Sequence, residues 1–281
     1  MKFLAAAFAL AATVYFPPKT GEANYQIQQL TASVYACIAM TGSKASSNAL
    51  IIIAENQAIL AGAHFTAEGV KELQAEISRL TPLPLRYVIL THHHRGYNYL
   101  DLDLPRGVEL VTSWQAWQAL KSEYREKRNS VTFFDKGLTM VRGDTTIVLS
   151  NTEGGHSEGD VILFLPQEGI LFTSDLVFND NAGYMGDGHM REWVINLETL
   201  LALSPRIVVP GVGNVTDSGG IVRFRDFLRD FLTEVLRHLE KGESLAQTMK
   251  GFSLPQHEKL PGYRIFLNVN IERAYKELKK N

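Results

Sequence analysis

The apolar run Leu85-Arg86-Tyr87-Val88-Ile89-Leu90 leads through Thr91 directly into His92-His93-His94, and this junction limits the folds open to the chain. The run reads as a buried strand. On an extended segment side chains alternate in direction, so His92 and His94 project to one side and His93 to the other. Two imidazoles on one side of a strand end make half of a zinc site, because zinc takes three or four nitrogen, sulfur or oxygen donors in roughly tetrahedral array. A fold that uses them must bring further donors to the end of that strand. Two later segments offer them: Gly154-Gly155-His156-Ser157-Glu158-Gly159-Asp160 and Leu171-Phe172-Thr173-Ser174-Asp175-Leu176.

Around that strand, short apolar runs alternate with helical stripes. Residues 33–40, 49–54 and 57–61 read as a meander, with Glu55-Asn56 as a tight turn. Val70, Leu73, Ile77 and Leu80 recur at spacings of three or four, as on one face of a helix, and Pro82 and Pro84 end it. Ser113 is a good N-cap for a second helix that carries Trp114, Trp117 and Leu120. In the second half, 138–142 and 145–150 flank a Gly143-Asp144 turn as a hairpin. Strands follow at 161–165, 170–173 and 207–209, with helices at 192–203 and 221–240. The last of these carries Phe224, Phe227, Leu228, Phe231, Val235 and Leu239 on one stripe. Strands and helices alternating in two halves predict an α/β protein with helices outside packed sheets.

The chain has 281 residues, 45% of them hydrophobic, enough to bury a large core. A net charge of −2 leaves no basic footprint, so nucleic acid is a poor partner. The single cysteine, Cys37, lies in an apolar run and reads as a core residue. At the N-terminus, Lys2 precedes an apolar stretch over 3–16 that Pro17-Pro18 breaks. It is shorter than the roughly 20 residues of a membrane span. Gly21-Glu22-Ala23 presents small residues where a signal peptidase reads, predicting cleavage before Asn24; a cut after Ala11 or Ala12 is the alternative. The expectation is a secreted, bacterial periplasmic protein with residues 1–23 as signal and 24–281 as a single domain, without a membrane anchor after cleavage.

Taken together, the segments Thr91-His92-His93-His94-Arg95-Gly96-Tyr97, Gly155-His156-Ser157, Ser174-Asp175 and Pro210-Gly211-Val212-Gly213 resemble, in order and spacing, the motifs of the metallo-β-lactamase superfamily. The resemblance runs from about Gln26 to about Leu245. It implies an αββα sandwich, a first metal on His92, His94 and His156, and a bridging carboxylate at Asp175. The family's second metal uses an aspartate and two histidines at positions that here read Gly96, Tyr97 and Val212. Gly and Val have no donor side chain, and neutral Tyr is a poor zinc ligand. Tyr99-Leu100 replaces the usual glycine pair, and Ala61 stands where an aspartate is common. The first-motif context and the long helix after Val212 place the layout nearer the glyoxalase II-like branch than true β-lactamases.

The expected cofactor is therefore one zinc ion per chain, on His92, His94 and His156. Three-histidine zinc with an open position lowers the pKa of its water to roughly 7, giving hydroxide at neutral pH. Asp175 could complete the ligand set or orient the nucleophile; both stay open at this point. Tyr97 is a candidate oxyanion donor. His64, Tyr184 and His189 are candidates for contacting substrate at the rim, the last two from a Gly-rich loop over 181–189. His93 is expected to point away, Asp160 to tether its own loop, and His238 and His257 to lie on the surface. The expected activity is hydrolysis of an ester, thioester or related bond in a small-molecule substrate. The alternative is a degenerate member that binds a ligand or partner without turnover. Oligomeric state is not legible in the sequence.

Overall fold

A computed structural model describes residues 23–94, 104–121, 123 and 129–280. Two sheets stack face to face. The first has seven strands in chain order: β1 (Tyr25–Gln29), β2 (Val34–Ala39), β3 (Ala49–Ala54), β4 (Gln57–Gly62), β5 (Leu85–Leu90), β6 (Glu109–Ser113) and β7 (Val131–Phe134). The first four are antiparallel; β4 to β7 run parallel. Parallel neighbours need a crossover, and α1 (Ala67–Leu80) supplies the one between β4 and β5, while α2 (Trp114–Leu120) follows β6. The second sheet contains β8 (Gly137–Arg142), β9 (Thr145–Asn151), β10 (Val161–Leu165), β11 (Ile170–Phe178) and β12 (Ile207–Val212), in the order β12-β11-β10-β9-β8. Helix α3 (Met190–Ala202) crosses from β11 to its parallel neighbour β12. Then α4 (Ser218–Glu240), α5 (Leu245–Gly251) and α6 (Tyr263–Lys279) complete the chain.

Alternation along each strand builds three apolar layers. In β3, Leu50 and Ile52 face the second sheet and meet Ile147, Leu149, Leu163, Phe172 and Val209. Ile51, one residue on, faces the other way and packs with Leu60, Val88, Val70, Leu73 and Ile77 under α1. On the far side, Leu171 and Val208 lie against Trp193, Leu197, Phe224, Leu228 and Phe231 of α3 and α4. The result is the αββα order that the family resemblance implied. Cys37 is buried in the α1 layer, where desolvation pushes its thiol up and leaves it inert.

Several elements run further than periodicity suggested. Strand β11 was expected over 170–173 but continues to Phe178, so Asp175 sits within it. Its pairing with β12 shifts register on both sides of Ser174, whose φ of 47° is left-handed. That irregularity re-aims the segment that carries Asp175. Strand β12 likewise reaches Val212, beyond the expected 207–209. Strands β1, β6 and β7 and helices α5 and α6 were not expected. His238, expected on the surface, is buried on α4 with Nδ1 on Glu243. His257 pairs with Asp230.

One buried side chain ties the ends of the two sheets together. Asn48, at the entry to β3, donates from Nδ2 to the carbonyls of Pro210 (2.9 Å) and Gly213 (2.8 Å), and its Oδ1 accepts from the Ala39 amide (2.8 Å). Replacing it strands three backbone groups away from water. Asn48→Ala should therefore destabilise the protein by about 2–4 kcal/mol in urea unfolding, from the cost of unmade buried hydrogen bonds. A loss below about 1 kcal/mol, less than one such bond, would show that this contact does not hold the sheets.

Candidate metal centre

The register of the parallel strands assembles the centre. Gly62 of β4 pairs with Leu90 of β5, so residues two beyond each come level, and these are His64 and His92. Their Nε2 atoms lie 2.9 Å apart. His94, two residues further on, meets His156 from the β9–β10 loop with Nε2 atoms 2.8 Å apart. The four imidazoles each offer one nitrogen, and all four nitrogens lie within 4.8 Å of one another. Asp175 Oδ2 stands 3.7 Å from His64 Nε2, 3.8 Å from His92 Nε2 and 3.7 Å from His156 Nε2. His93 turns the other way, with Nε2 2.8 Å from Glu123 Oε2.

Neighbouring groups hold these side chains in place. His94 Nδ1 donates to Asp187 Oδ2 at 2.9 Å, a contact of the kind that fixes ring orientation in metal centres. His92 Nδ1 lies 3.3 Å from Thr91 Oγ1, which in turn meets Ser174 Oγ at 2.7 Å across the two sheets. Ser47 Oγ donates to Asp175 Oδ1 at 2.6 Å, so one carboxylate oxygen is anchored and the other faces the nitrogens. Gly211 makes this approach possible, since a Cβ there would lie 2.1 Å from Asp175 Oδ1. Asp160 closes its own loop, accepting from the Ser157 amide (3.0 Å) and hydroxyl (2.6 Å).

Burial sets the charge state. It lowers the His64 imidazole to about 3, helped by His94 and His93. The same desolvation, with neighbouring imidazoles, puts His92 and His156 well below the ordinary value. Burial acts in the opposite sense on Asp175, raising it to about 7 against the lowering effect of the Ser47 bond. Neutral imidazoles at neutral pH are what a metal ion requires. A tetrahedral zinc ion with bonds of about 2.0–2.1 Å spaces its donors by about 3.3–3.4 Å, between the close pairs and the outer limit found here. Nitrogen donors suit zinc, copper or nickel; magnesium and calcium prefer oxygen. The residues present fit such an ion.

The centre opens on a chamber of about 320 Å³. Tyr184 and Phe266 wall it, with ring centroids 6.0 Å apart. Val212 lines it too, an apolar side chain where the resemblance places a histidine. His64, expected at the rim, is inside the nitrogen cluster. Tyr184 reaches the chamber, its ring 5.9 Å from that of His94. His189 is not among the lining residues; it stands at the N-cap of α3, with Nε2 3.3 Å from Glu158. Gly96, Tyr97, Tyr99 and Leu100 lie outside the described residues. Ser47, Asp187 and Phe266 escaped the sequence reading. Ser47 is 128 positions from its partner Asp175, and no local pattern marks such a pair.

No family model matches the sequence. It is 27% identical over 225 residues to a protein of Bacillus sp. (strain 170) titled metallo-beta-lactamase type 2, covering 75% of this chain and 85% of that one. A Bacillus cereus protein of the same title is 25% identical with the same coverage. Among solved structures, the metallo-beta-lactamase from Pontibacter korlensis superposes with a TM-score of 0.64 at 22% identity, covering 73% of this chain and 99% of that one. The DIM-1 metallo-beta-lactamase gives 0.63 at 20% identity, covering 74% and 98%.

The shifted groups make acid stability a test of this packing. In the unfolded chain the imidazoles protonate near 6.5, whereas His64, His92, His156 and His93 are all held lower in the fold. Below that pH the unfolded state binds more protons at these four positions. Asp160 and Asp175, held higher in the fold, act in the opposite sense but number only two. The metal-free protein should therefore lose stability as pH falls from 7 to 5. A thermal midpoint that stays flat or rises across that window would contradict the buried, neutral cluster.

Proposed function

We propose that the chain is a hydrolase of the metallo-β-lactamase superfamily with one zinc ion per chain, held by His92, His94 and His156. The observation that carries this reading is the convergence of imidazole nitrogens from separate segments at the mouth of a chamber. When bound, such an ion polarises a carbonyl and lowers the pKa of water, supplying a nucleophile at neutral pH. The chain's own residues supply the rest. Asp175 is held by Ser47 through Oδ1, which leaves Oδ2 facing the nitrogens to orient an attacking water and accept its proton. Thr91 and Asp187 keep His92 and His94 from rotating out of line. Tyr184 and Phe266 offer an apolar wall to the substrate.

The substrate class in this reading is a small ester, thioester or cyclic amide. The relatives' titles name β-lactamases, which supports testing β-lactams beside generic esters and thioesters. A second reading, a protein that binds a ligand without turnover, is favoured by Val212 on the chamber wall in place of a donor. Export belongs to the first reading. Its support is that Glu72 accepts from the Asn24 amide (2.8 Å), the Asn24 side chain (2.7 Å) and the Tyr25 amide (3.0 Å), so the chain is already pinned at the expected cut.

Elemental analysis after dialysis against trace zinc should give about one equivalent, following the ligand count. His94→Ala should lose it, and His93→Ala, which removes only a partner of Glu123, should retain it. Asp175→Asn should keep the ion while hydrolysis falls on the order of 10²–10⁴-fold, the usual contribution of a general base. Two tightly held equivalents, or equal loss from both histidine variants, would overturn the assignment. Absence of turnover across β-lactam, ester and thioester panels in the zinc-loaded protein would favour the binding reading. N-terminal sequencing of protein recovered from a bacterial periplasm should begin at Asn24; a start at Ala12 or Thr13 would mean the earlier cut.

A further inference from the structure

The ligand set implied by the family resemblance contains no residue at position 64. We propose that His64 is a metal ligand, so that four imidazoles hold one ion and Asp175 is the carboxylate beside it. This rests on the reading that the cluster holds an ion at all. It adds a nitrogen from the end of β4 to the three histidines that the family resemblance implies.

Three observations carry the proposal. The first is position: strand register sets His64 level with His92, and its Nε2 joins the same group of nitrogens, 2.9 Å from His92 and 3.7 Å from Asp175. The second is enclosure. The His64 side chain is only 12% exposed, and it stacks with the His94 ring at 5.6 Å between centroids, so it belongs to the cluster rather than the rim. The third is backbone conformation. His64 has a φ of 51°, in the left-handed region that residues with a Cβ rarely adopt. Phe65 is fully buried on its C-terminal side, and the reversal at His64 lets the phenyl ring enter the core while the imidazole stays with the nitrogens. Such conformations are strained and cluster at functional sites.

Zinc centres that catalyse hydrolysis commonly have three protein ligands and an open corner, whereas four protein ligands make a closed one. With His64 bound, water or substrate would reach the ion only as a fifth ligand or by displacing that imidazole. His64 would then govern both how tightly the ion is held and how readily a substrate atom reaches it. Asp175 keeps its role beside the ion in either case, because its anchored oxygen is fixed by Ser47.

The test uses the full chain, with zinc and cobalt(II) as probes. Competition against a chelator should show His64→Ala and His64→Gln holding zinc at least tenfold more weakly than the unsubstituted protein. The visible absorption of the cobalt-loaded form should change on substitution, since removing a nitrogen donor alters the ligand field. X-ray absorption of the zinc-loaded, unsubstituted protein needs no variant and should count four imidazoles. Three imidazoles, or unchanged affinity and an unchanged cobalt spectrum in folded variants, would overturn the role of His64 while leaving the three-histidine hydrolase standing. Failure of the unsubstituted protein to retain either metal would overturn both.

Discussion

Bringing four imidazoles within a few ångströms of one another, away from water, is the most demanding thing this fold does. Like charges at that spacing repel strongly, and a protonated ring in an apolar enclosure has lost its hydration. The layers around them exclude water, and that burial holds His64, His92 and His156 in the neutral form, so the rings can stay together. Trp193 and Phe178 pack against His156, and the β4–β5 pairing brings His64 level with His92. The same exclusion that denies the rings a proton leaves their lone pairs available to a cation. Core packing and metal affinity are thus consequences of one arrangement.

Much of this was legible in the sequence where the signal was local. Strand alternation alone separates His92 and His94 from His93, and the structure puts His93 on Glu123 while its neighbours converge. The Asn-containing turn at 55–56, the Ser113 cap and the stripe of α4 each depend on spacings within a few residues. What sequence could not supply were contacts set by register between distant segments. His64 looked like a loop residue because its place is defined by Gly62 pairing with Leu90, a fact about two strands. Ser47 and Asp187 are single polar residues with no motif around them, and their importance lies in partners far along the chain. The extension of β11 through Asp175 was hidden by polar residues that a buried run does not predict, Thr173, Ser174 and Asp175. They are tolerated because the site pairs them: Ser174 with Thr91, Asp175 with Ser47.

The departures from the family pattern acquire a physical sense together. A two-metal centre keeps polar donors on several sides of its ions, and here one of those sides is the methyl surface of Val212. With that side apolar and His64 on another, the donors that face one another here are chiefly imidazole nitrogens. With one divalent ion bound there, Asp175 would be the carboxylate nearest to it.

The bond between Ser47 and Asp175 also has a kinetic meaning. It joins residues 128 positions apart, and Asn48 reaches across more than 160 to Pro210 and Gly213. Contacts of such long sequence separation form late, because a large loop must close before they return any energy. His64, His92 and His94 come from the first sheet, whereas His156 and Asp175 arrive with the second. The first three can gather on a half-built protein, but the complete pocket exists only after the two sheets have docked. An ion bound with full affinity would therefore report that the sandwich has closed, and a chain stalled before docking would hold one less tightly than the finished protein.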